Sequence, residues 1–441
     1  MPVTPTIRTR TFLLLTAALW IVARASVVRA DPAAIMGGDI GVSRTPQQVA
    51  TELNSIQAAG IHMARVSLVP DTYYAKSAPS LGDMDDVVLA CHKHGITPVL
   101  EFEFYQFWIP FGWFNARPLK DYDWKAIGHL FAARYAPGSA WLKSQSITNW
   151  GVTVYTAINE PDNYLNGGHI PLQDYFDAIK NFAQGIHSAG AALKVVPGGF
   201  ARPCSYMDYT TGGYATILAP LFNDGTLDGI DIHTYNGDWT PMKWDFTAQN
   251  NFERVKTACG ITRDINYYCT EFNYTSDKHP DADEWAKNFL SCMWNQLTIT
   301  NTAGQRKVQL AFPFKLNSIK SKQWPFGMST QLDPWEPDTR GKTLRDVVTL
   351  TNGMEFVRCQ QGLFELHRDG ATLWVLQNRT GWRSGHVSTS LTLKKIPAGM
   401  KSLQIWYWDG LSKTIELAGQ TSYTVTDLRT EETAMILATA K

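Results

Sequence analysis

Charge of either sign is scarce and evenly matched in this chain: 18% of residues are charged, and 40 Lys+Arg stand against 40 Asp+Glu. No basic excess is on offer to a phosphate backbone and no like-charge tail exists, so nucleic acid is not an expected partner. Cysteine is also sparse. Six in 441 residues do not make a disulfide scaffold. After the N-terminus no apolar run is long enough to span a membrane. Three catalytic strings are missing as well: a Gly-x-Ser-x-Gly elbow, a phosphate loop and a His-Glu-x-x-His pair. His92 and His94 lie two apart on an expected helix and so face different ways. Asp277, Asp281 and Asp283 surround a helix start, where capping explains them better than calcium does. No cofactor and no metal is therefore expected.

What is present fits a large folded chain. A length of 441 residues with 44% hydrophobic content allows one large domain plus a small one. The chain has 16 Trp and 17 Tyr. Most fill cores, but flat aromatic faces also stack on sugar rings. Residues 1–30 read as an export signal. Arg8 and Arg10 carry positive charge, Thr11 to Ala23 is apolar, and Val28-Arg29-Ala30 is a small-residue cleavage site before Asp31. A secreted or periplasmic location is expected, with no membrane contact once the signal is removed; an uncleaved anchor is the alternative reading. Export permits disulfides. Cys259 and Cys269 flank a short connection and are one candidate pair, but Cys269 shares parity with Glu271, which favours a buried free thiol.

Short apolar strands alternate with amphipathic helices from residue 35 onward. Strands are expected near 35–40, 62–69, 97–104, 152–159, 194–199, 229–235, 266–273 and 307–316. Helices are expected at 45–59, 81–94, 124–135, 172–189, 246–258, 283–297 and 343–350. Eight strand units at this rhythm predict an α/β fold, a (β/α)8 TIM barrel spanning residues 31–353. After Gly353 the pattern becomes short strands with polar turns, at 364–366, 371–377, 387–393, 403–408, 413–416 and 422–425. This predicts a small antiparallel β-sandwich domain over 354–441, acting as a brace for the barrel or as a sugar-binding module.

Two strings end expected strands with a glutamate: Ile158-Asn159-Glu160-Pro161 on the fourth and Tyr268-Cys269-Thr270-Glu271-Phe272 on the seventh. Residues 160 and 271 are three barrel repeats of about 37 residues apart, which places both carboxylates on one rim. Two opposed carboxylates at such a rim are the apparatus that cleaves a glycosidic bond. Ordinary rim salt bridges are the plainer alternative.

Ala157-Ile158-Asn159-Glu160-Pro161-Asp162 and Thr270-Glu271-Phe272-Asn273 resemble the acid/base and nucleophile motifs of clan A glycoside hydrolases, most closely those of glycoside hydrolase family 39. The resemblance implies a retaining hydrolase of a β-linked glycoside or polysaccharide, with Glu160 as acid/base and Glu271 as nucleophile. It implies that Asn159 bonds the sugar 2-hydroxyl. Arg65, within Ala64-Arg65-Val66-Ser67, resembles the clan's arginine beneath the nucleophile. His233 and Tyr235 resemble its His-x-Tyr element, whose members touch the nucleophile or the sugar. The chain departs from the family at Tyr155 and Ile158, where Trp is frequent, and at Ala311 to Lys315, which contains no Trp.

Further candidates rest on parity and position. Glu101 and Glu103 share inward parity on the third strand, and buried glutamates are rare unless paired. Glu103, nearer the rim, is a sugar ligand or a rival catalytic carboxylate. Trp108, in the aromatic loop 105–114, and Trp239, after the sixth strand, are candidate cleft walls, as are Trp244, Trp324 and Trp335. An oligosaccharide or polysaccharide is the expected partner, and nothing in the sequence sets the oligomeric state. Two other readings remain: a carbohydrate-binding barrel that no longer catalyses, and a transglycosylase using the same carboxylates.

Overall fold

The computed structural model describes residues 35–41, 45–68, 81–103, 118–163, 170–201, 213–237, 248–275, 281–320, 326–360, 363–378 and 387–440. Five parallel strands form the first sheet in sequence order: β1 (Gly37–Gly41), β2 (Met63–Leu68), β3 (Thr97–Phe102), β4 (Val154–Ala157) and β5 (Lys194–Pro197). A second parallel group holds β6 (Gly229–Asp231), β7 (Thr234–Gly237), β8 (Asn266–Thr275) and β9 (Val308–Pro313), with β8 pairing with the other three. The groups meet on both sides. Asp228 and Phe200 donate backbone N–H to Val195 O and Asp231 O, at 3.0 and 2.9 Å. The Asn317 side-chain amide donates to the backbone carbonyl of Asp39. Parallel strands need crossovers, and helices supply them.

The helices begin and end where local chemistry dictates. Thr45 and Gln48 form a reciprocal capping box at the start of Pro46–Ala58, which satisfies two otherwise orphaned N–H groups. Asp123 caps Trp124–Tyr135 by accepting from Ala126 N. Asp281 caps Ala282–Leu297 by accepting from Asp283 N, so at Asp281 the structure bears out capping. Leu172–Ala189 buries Tyr175, Ile179, Phe182 and Ile186 on one face, the period of an amphipathic helix. Among the described residues no helix is long and apolar enough to cross a membrane.

Strand side chains divide between two faces. Val99, Val154, Val196, Tyr268, Leu310 and Phe312 form one apolar cluster. Their neighbours Ala64, Leu100, Phe102, Tyr155, Val195 and Cys269 join a larger core with the helices. Fully burying a ring such as Phe312 contributes roughly 1.5–3 kcal/mol. The polar residues of the site stand beyond the first cluster, toward the strand C-termini.

Two local irregularities correct the simple alternation. The expected strand 152–159 ends at Ala157, because Ile158 and Glu160 both take positive φ, 67° and 44°. A β-branched residue there is costly and must be held by its surroundings. Ile158 N donates to Phe102 O at 2.7 Å and Glu160 N to Gly199 O at 3.0 Å. On β8 the register against β9 shifts between Cys269 and Phe272. Cys269 and Glu271 therefore do not share a face. Cys269 sits in the helix-side core while Glu271 meets Arg65. The free-thiol reading nevertheless holds: Cys91, Cys259, Cys269, Cys292 and Cys359 are all unbridged, and Cys204 lies outside the described residues. The expected sixth strand, 229–235, is split into β6 and β7 around Ile232 and His233.

The C-terminal part is an antiparallel six-stranded sheet. It comprises β12 (Glu355–Gln360), β13 (Leu363–Arg368), β14 (Ala371–Asn378), β16 (Ser402–Tyr407), β17 (Gly410–Glu416) and β19 (Glu432–Thr439), in the order β12-β13-β14-β19-β16-β17. A pair, β15 (Ser390–Lys394) and β18 (Ser422–Thr426), covers one face through Leu393 and Val425 against Trp374, Leu403 and Ile436. The other face contributes Phe364, Leu373, Val375, Met435 and Leu437 to the main core. Ser291 and Thr433 hydroxyls meet at 2.8 Å across this seam. β12 and β19 were not expected from the sequence, yet β19 is the central strand joining β14 to β16. Two short strands, β10 (Ser329–Leu332) and β11 (Trp335–Pro337), form a separate ribbon.

Candidate active site

Arg65 organises one half of the site. It leaves β2 in register with Asp39 on β1 and is only 2% exposed. Its Nε donates to Asp39 Oδ1 at 2.5 Å and its Nη2 to Glu271 Oε1 at 2.5 Å. Nη1 reaches Glu101 Oε2 at 3.1 Å, and Ser67 Oγ donates to the same oxygen at 3.1 Å. Three carboxyls thus share one guanidinium fork, whose planar donors suit that task. The second Glu271 oxygen accepts a short hydrogen bond from the Tyr235 hydroxyl. Tyr235 in turn packs edge-on against Phe314 and Phe326. Burial, and then Glu271, push the Tyr235 hydroxyl well above its ordinary range, so it stays a donor.

His233 organises the other half. Its Nδ1 lies 2.8 Å from Glu160 Oε1 and 3.5 Å from Glu271 Oε2. Asn163 Nδ2 donates to Glu160 Oε2 at 2.7 Å. Burial works against a charged His233, but Glu271, Glu160 and Asp231 outweigh it and raise the ring to about 10. For Glu160 burial also opposes the charged form, yet His233 and Asn163 prevail and hold the carboxyl below its usual range. One oxygen of Glu160, one oxygen of Glu271 and a ring nitrogen of His233 all lie within 4.8 Å of one another. That triangle is small enough for a cation, but a doubly protonated ring has no lone pair to give and Arg65 already neutralises Glu271. The donor set therefore suits hydrogen bonding better than metal ligation.

Close backbone approach makes room for this arrangement. A Cβ on Gly199 would fall 1.9 Å from His233 Nε2, and one on Gly198 would fall 2.3 Å from Ile158 O. Both distances are impossible without displacement. Gly199→Ala is expected to move the ring and cut turnover on the order of a hundredfold, the scale of an ångström-sized misplacement. Near-normal kcat in that variant, measured on a folded sample, would disprove the requirement.

The polar patch is short of positive charge. Asp39, Glu101, Glu160, Asp231 and Glu271 are all buried, against Arg65 and His233. Burial, opposed by Arg65 and reinforced by Glu103 and Glu271, raises Glu101 to about 8. The folded protein then keeps a proton that the unfolded chain loses above the ordinary carboxyl range. Stability from this group falls as pH rises toward 8, and that from His233 falls as pH rises from 6.5 toward 10. Glu101→Gln is expected to flatten the decline in Tm between pH 5 and about 8. Parallel Tm curves for variant and parent would exclude Glu101 as the group responsible.

The residues singled out from sequence fall into three groups. Glu160, Glu271, Arg65, His233 and Tyr235 meet in one cluster. Asn159 adjoins it, 5% exposed, with Oδ1 lacking a partner among the described residues. Glu103 sits half-buried at the end of β3, its N–H bonded to Leu68 O at 2.8 Å, and acts on Arg65 and Glu101 through charge. Trp108 and Trp239 lie outside the described residues, as do Trp244 and Trp324. Trp335 packs on the core, its indole N–H donating to Ser329 Oγ at 2.9 Å. Sequence reasoning gave no site role to Asp39 or Asn163. Asp39 carried a usable signal, a lone acid within an apolar strand. Asn163 carried none.

No family model matches the chain, and no curated protein matches it by sequence. Solved structures do match in fold. A family 39 glycoside hydrolase from Bacteroides cellulosilyticus WH2 superposes with a TM-score of 0.58 at 15% identity, covering 93% of this chain and 82% of that one. A family 39 β-xylosidase from Caulobacter crescentus gives 0.59 at 12% identity, over 93% and 96%. A family 30 endoxylanase from Clostridium papyrosolvens C71 gives 0.54 at 12%, over 92% and 96%. The chain therefore has the fold of clan A glycoside hydrolases of families 39 and 30.

Proposed function

We propose that this protein is a retaining glycoside hydrolase acting on a β-linked sugar, with its catalytic groups at the mouth of a (β/α)8 barrel. The observation that carries the reading is the pair of buried carboxylates whose nearest oxygens lie within 4.8 Å. Retaining enzymes hold the two carboxyls roughly 5–5.5 Å apart, whereas inverting enzymes need about 6.5–9.5 Å to admit a water.

The surroundings divide the roles. Glu271, held by Arg65 and Tyr235, is aimed by two donors, as a nucleophile requires. It attacks the anomeric carbon and forms a glycosyl ester while the bond to the leaving oxygen breaks. Glu160 gives that oxygen a proton, then takes one from the incoming water. Glu160 is held ionised by His233 and Asn163, so it takes up its proton before the first step. A leaving group that displaces Asn163 from Oε2 removes one of those donors and favours the protonated form. Asn159 supplies the contact to the 2-hydroxyl, consistent with its buried oxygen, which has no partner among the described residues.

The neighbours point to a substrate class. Those described above include a β-xylosidase and an endoxylanase, so β-linked pentosides head the list of substrates. Residues 1–30 serve as a signal for secretion or periplasmic export, and residues 354–441 brace the barrel through the shared core. The test is a panel of aryl glycosides and polysaccharides, with the anomer of the first product read by NMR. Release of β-product from a β-substrate is expected. An α-product, or binding without release of reducing ends, would overturn the reading.

A further inference from the structure

Behind His233 lies a buried chain of polar groups with no role in the two-carboxylate mechanism as stated. Asp231 is fully buried, as is Thr270. Asp231 Oδ1 accepts from Thr270 N at 2.9 Å, and Asp231 Oδ2 lies 2.6 Å from Thr270 Oγ1. The same Oγ1 lies 3.0 Å from His233 Nε2. On its far side His233 Nδ1 faces two carboxylates and must carry hydrogen there.

A hydroxyl has one proton to donate. If Asp231 is ionised, Thr270 gives that proton to Oδ2 and must accept at Oγ1. Nε2 then bears hydrogen, and the ring is an imidazolium. If Asp231 is protonated, the polarity of every link reverses. Oδ2–H donates to Oγ1, Thr270 donates to Nε2, and the ring is neutral. One proton is thus shared between Asp231 and His233, and Thr270 couples its two positions.

We propose that Asp231 and Thr270 are positioning residues that set the charge of His233 and, through it, the ease with which Glu160 gives up its proton. This inference rests on the glycosidase reading for its consequence but not for its hydrogen-bond logic. In the charged arrangement, the imidazolium stabilises the Glu160 carboxylate formed when the leaving oxygen takes the proton. No proton is created or lost in the relay. The groups facing the ring from all sides enter the balance: Glu160 after β4, Glu271 and Thr270 on β8, Asp231 on its own chain segment, Tyr235 on β7, and Arg65 and Glu101 below. The carboxylates outnumber the cations, which favours keeping the proton on the ring, and burial raises Asp231 only against the pull of His233, Thr270 and Arg65.

Asp231→Asn inverts the chain without removing it. The Asn oxygen must face Thr270 N, so its NH2 donates to Oγ1 and Thr270 donates to Nε2. The ring is then neutral. The experiment records histidine ring 15N spectra of the full protein at pH 7, assigning His233 by its loss in His233→Asn, beside pH profiles of kcat/KM on 4-nitrophenyl β-xyloside. In the parent both ring nitrogens are expected to carry hydrogen. In Asp231→Asn only Nδ1 should, and the basic limb of kcat/KM should move to higher pH by on the order of one unit. Thr270→Val should act in the same direction, and Thr270→Ser should restore the parent limb. These two variants keep the test decisive if Asp231→Asn does not fold. A ring that stays doubly protonated in both Asp231→Asn and Thr270→Val would overturn the relay. A neutral ring with an unmoved limb would overturn its link to Glu160. Lack of hydrolysis by the parent would count against the glycosidase reading and leave the ring spectra to decide the relay.

Discussion

Glu271→Ala is expected to lower turnover of aryl glycosides by at least about 10⁴-fold, the scale on which loss of a nucleophile acts. Two features of the site make the effect large. Arg65 and Tyr235 are both aimed at the Glu271 carboxylate, and among the described residues no other carboxylate occupies that position. Glu101 shares Arg65 but sits fully buried on β3. The variant leaves space beside the anomeric carbon where a small anion fits. Added azide should restore turnover and yield a glycosyl azide of inverted configuration, because only one displacement occurs. Recovery of a retained azide, or turnover close to the parent, would remove Glu271 from the nucleophile's role.

Glu160→Ala is expected to give a loss that depends on the leaving group. Poor leaving groups such as alkyl glycosides need a proton and should slow by about 10²–10⁴-fold. Dinitrophenyl glycosides leave without one, so their first step should be nearly unchanged and the covalent ester should accumulate as a burst. Azide then replaces water and gives an azide of retained configuration. The opposite product configurations expected from the two variants separate their roles without reliance on rate alone. Equal losses on good and poor leaving groups would argue that Glu160 has a structural task only. Its positive φ and its hydrogen bonds to His233 and Asn163 make a loss of folding the control to run first.

Much of this site was readable before any coordinates. His233 and Tyr235 were expected in the site by resemblance, and between them they contact the Glu160 and Glu271 carboxyls there. Arg65 was expected beneath Glu271 and is bonded to it. Helix limits at Trp124–Tyr135 and Leu172–Ala189 agree to the residue, since Asp123 caps the first and Gly190 follows the second. What was not readable has a common cause: alternation assumes a regular strand. The chain abandons it at Ile158, where tertiary hydrogen bonds hold an unfavourable φ, and at Cys269 to Phe272, where the register against β9 shifts. The same irregularities bring Glu160 and Glu271 together, so local rules fail at the candidate site. Asn163 follows a turn whose direction is set by Gly199 and Ala201 (Ala201 N donates to Asp162 Oδ1 at 2.9 Å), contacts distant in sequence. The strand at Glu432–Thr439 was missed for a different reason. Its six buried residues read as a plain apolar run, and only pairing with β14 and β16 makes it a strand.

The most direct measurement is the intact mass of the protein after incubation with an activated 2-deoxy-2-fluoro-β-glycoside of a sugar it cleaves. Fluorine at C2 slows both steps, while the activated leaving group lets the first proceed, so a double-displacement enzyme stalls as its ester. The account predicts one added glycosyl unit per chain, and peptide mapping should find it on Glu271. Turnover of that reagent's parent sugar with no adduct, or an adduct on any other side chain, would contradict the claim that these two carboxylates act by direct displacement.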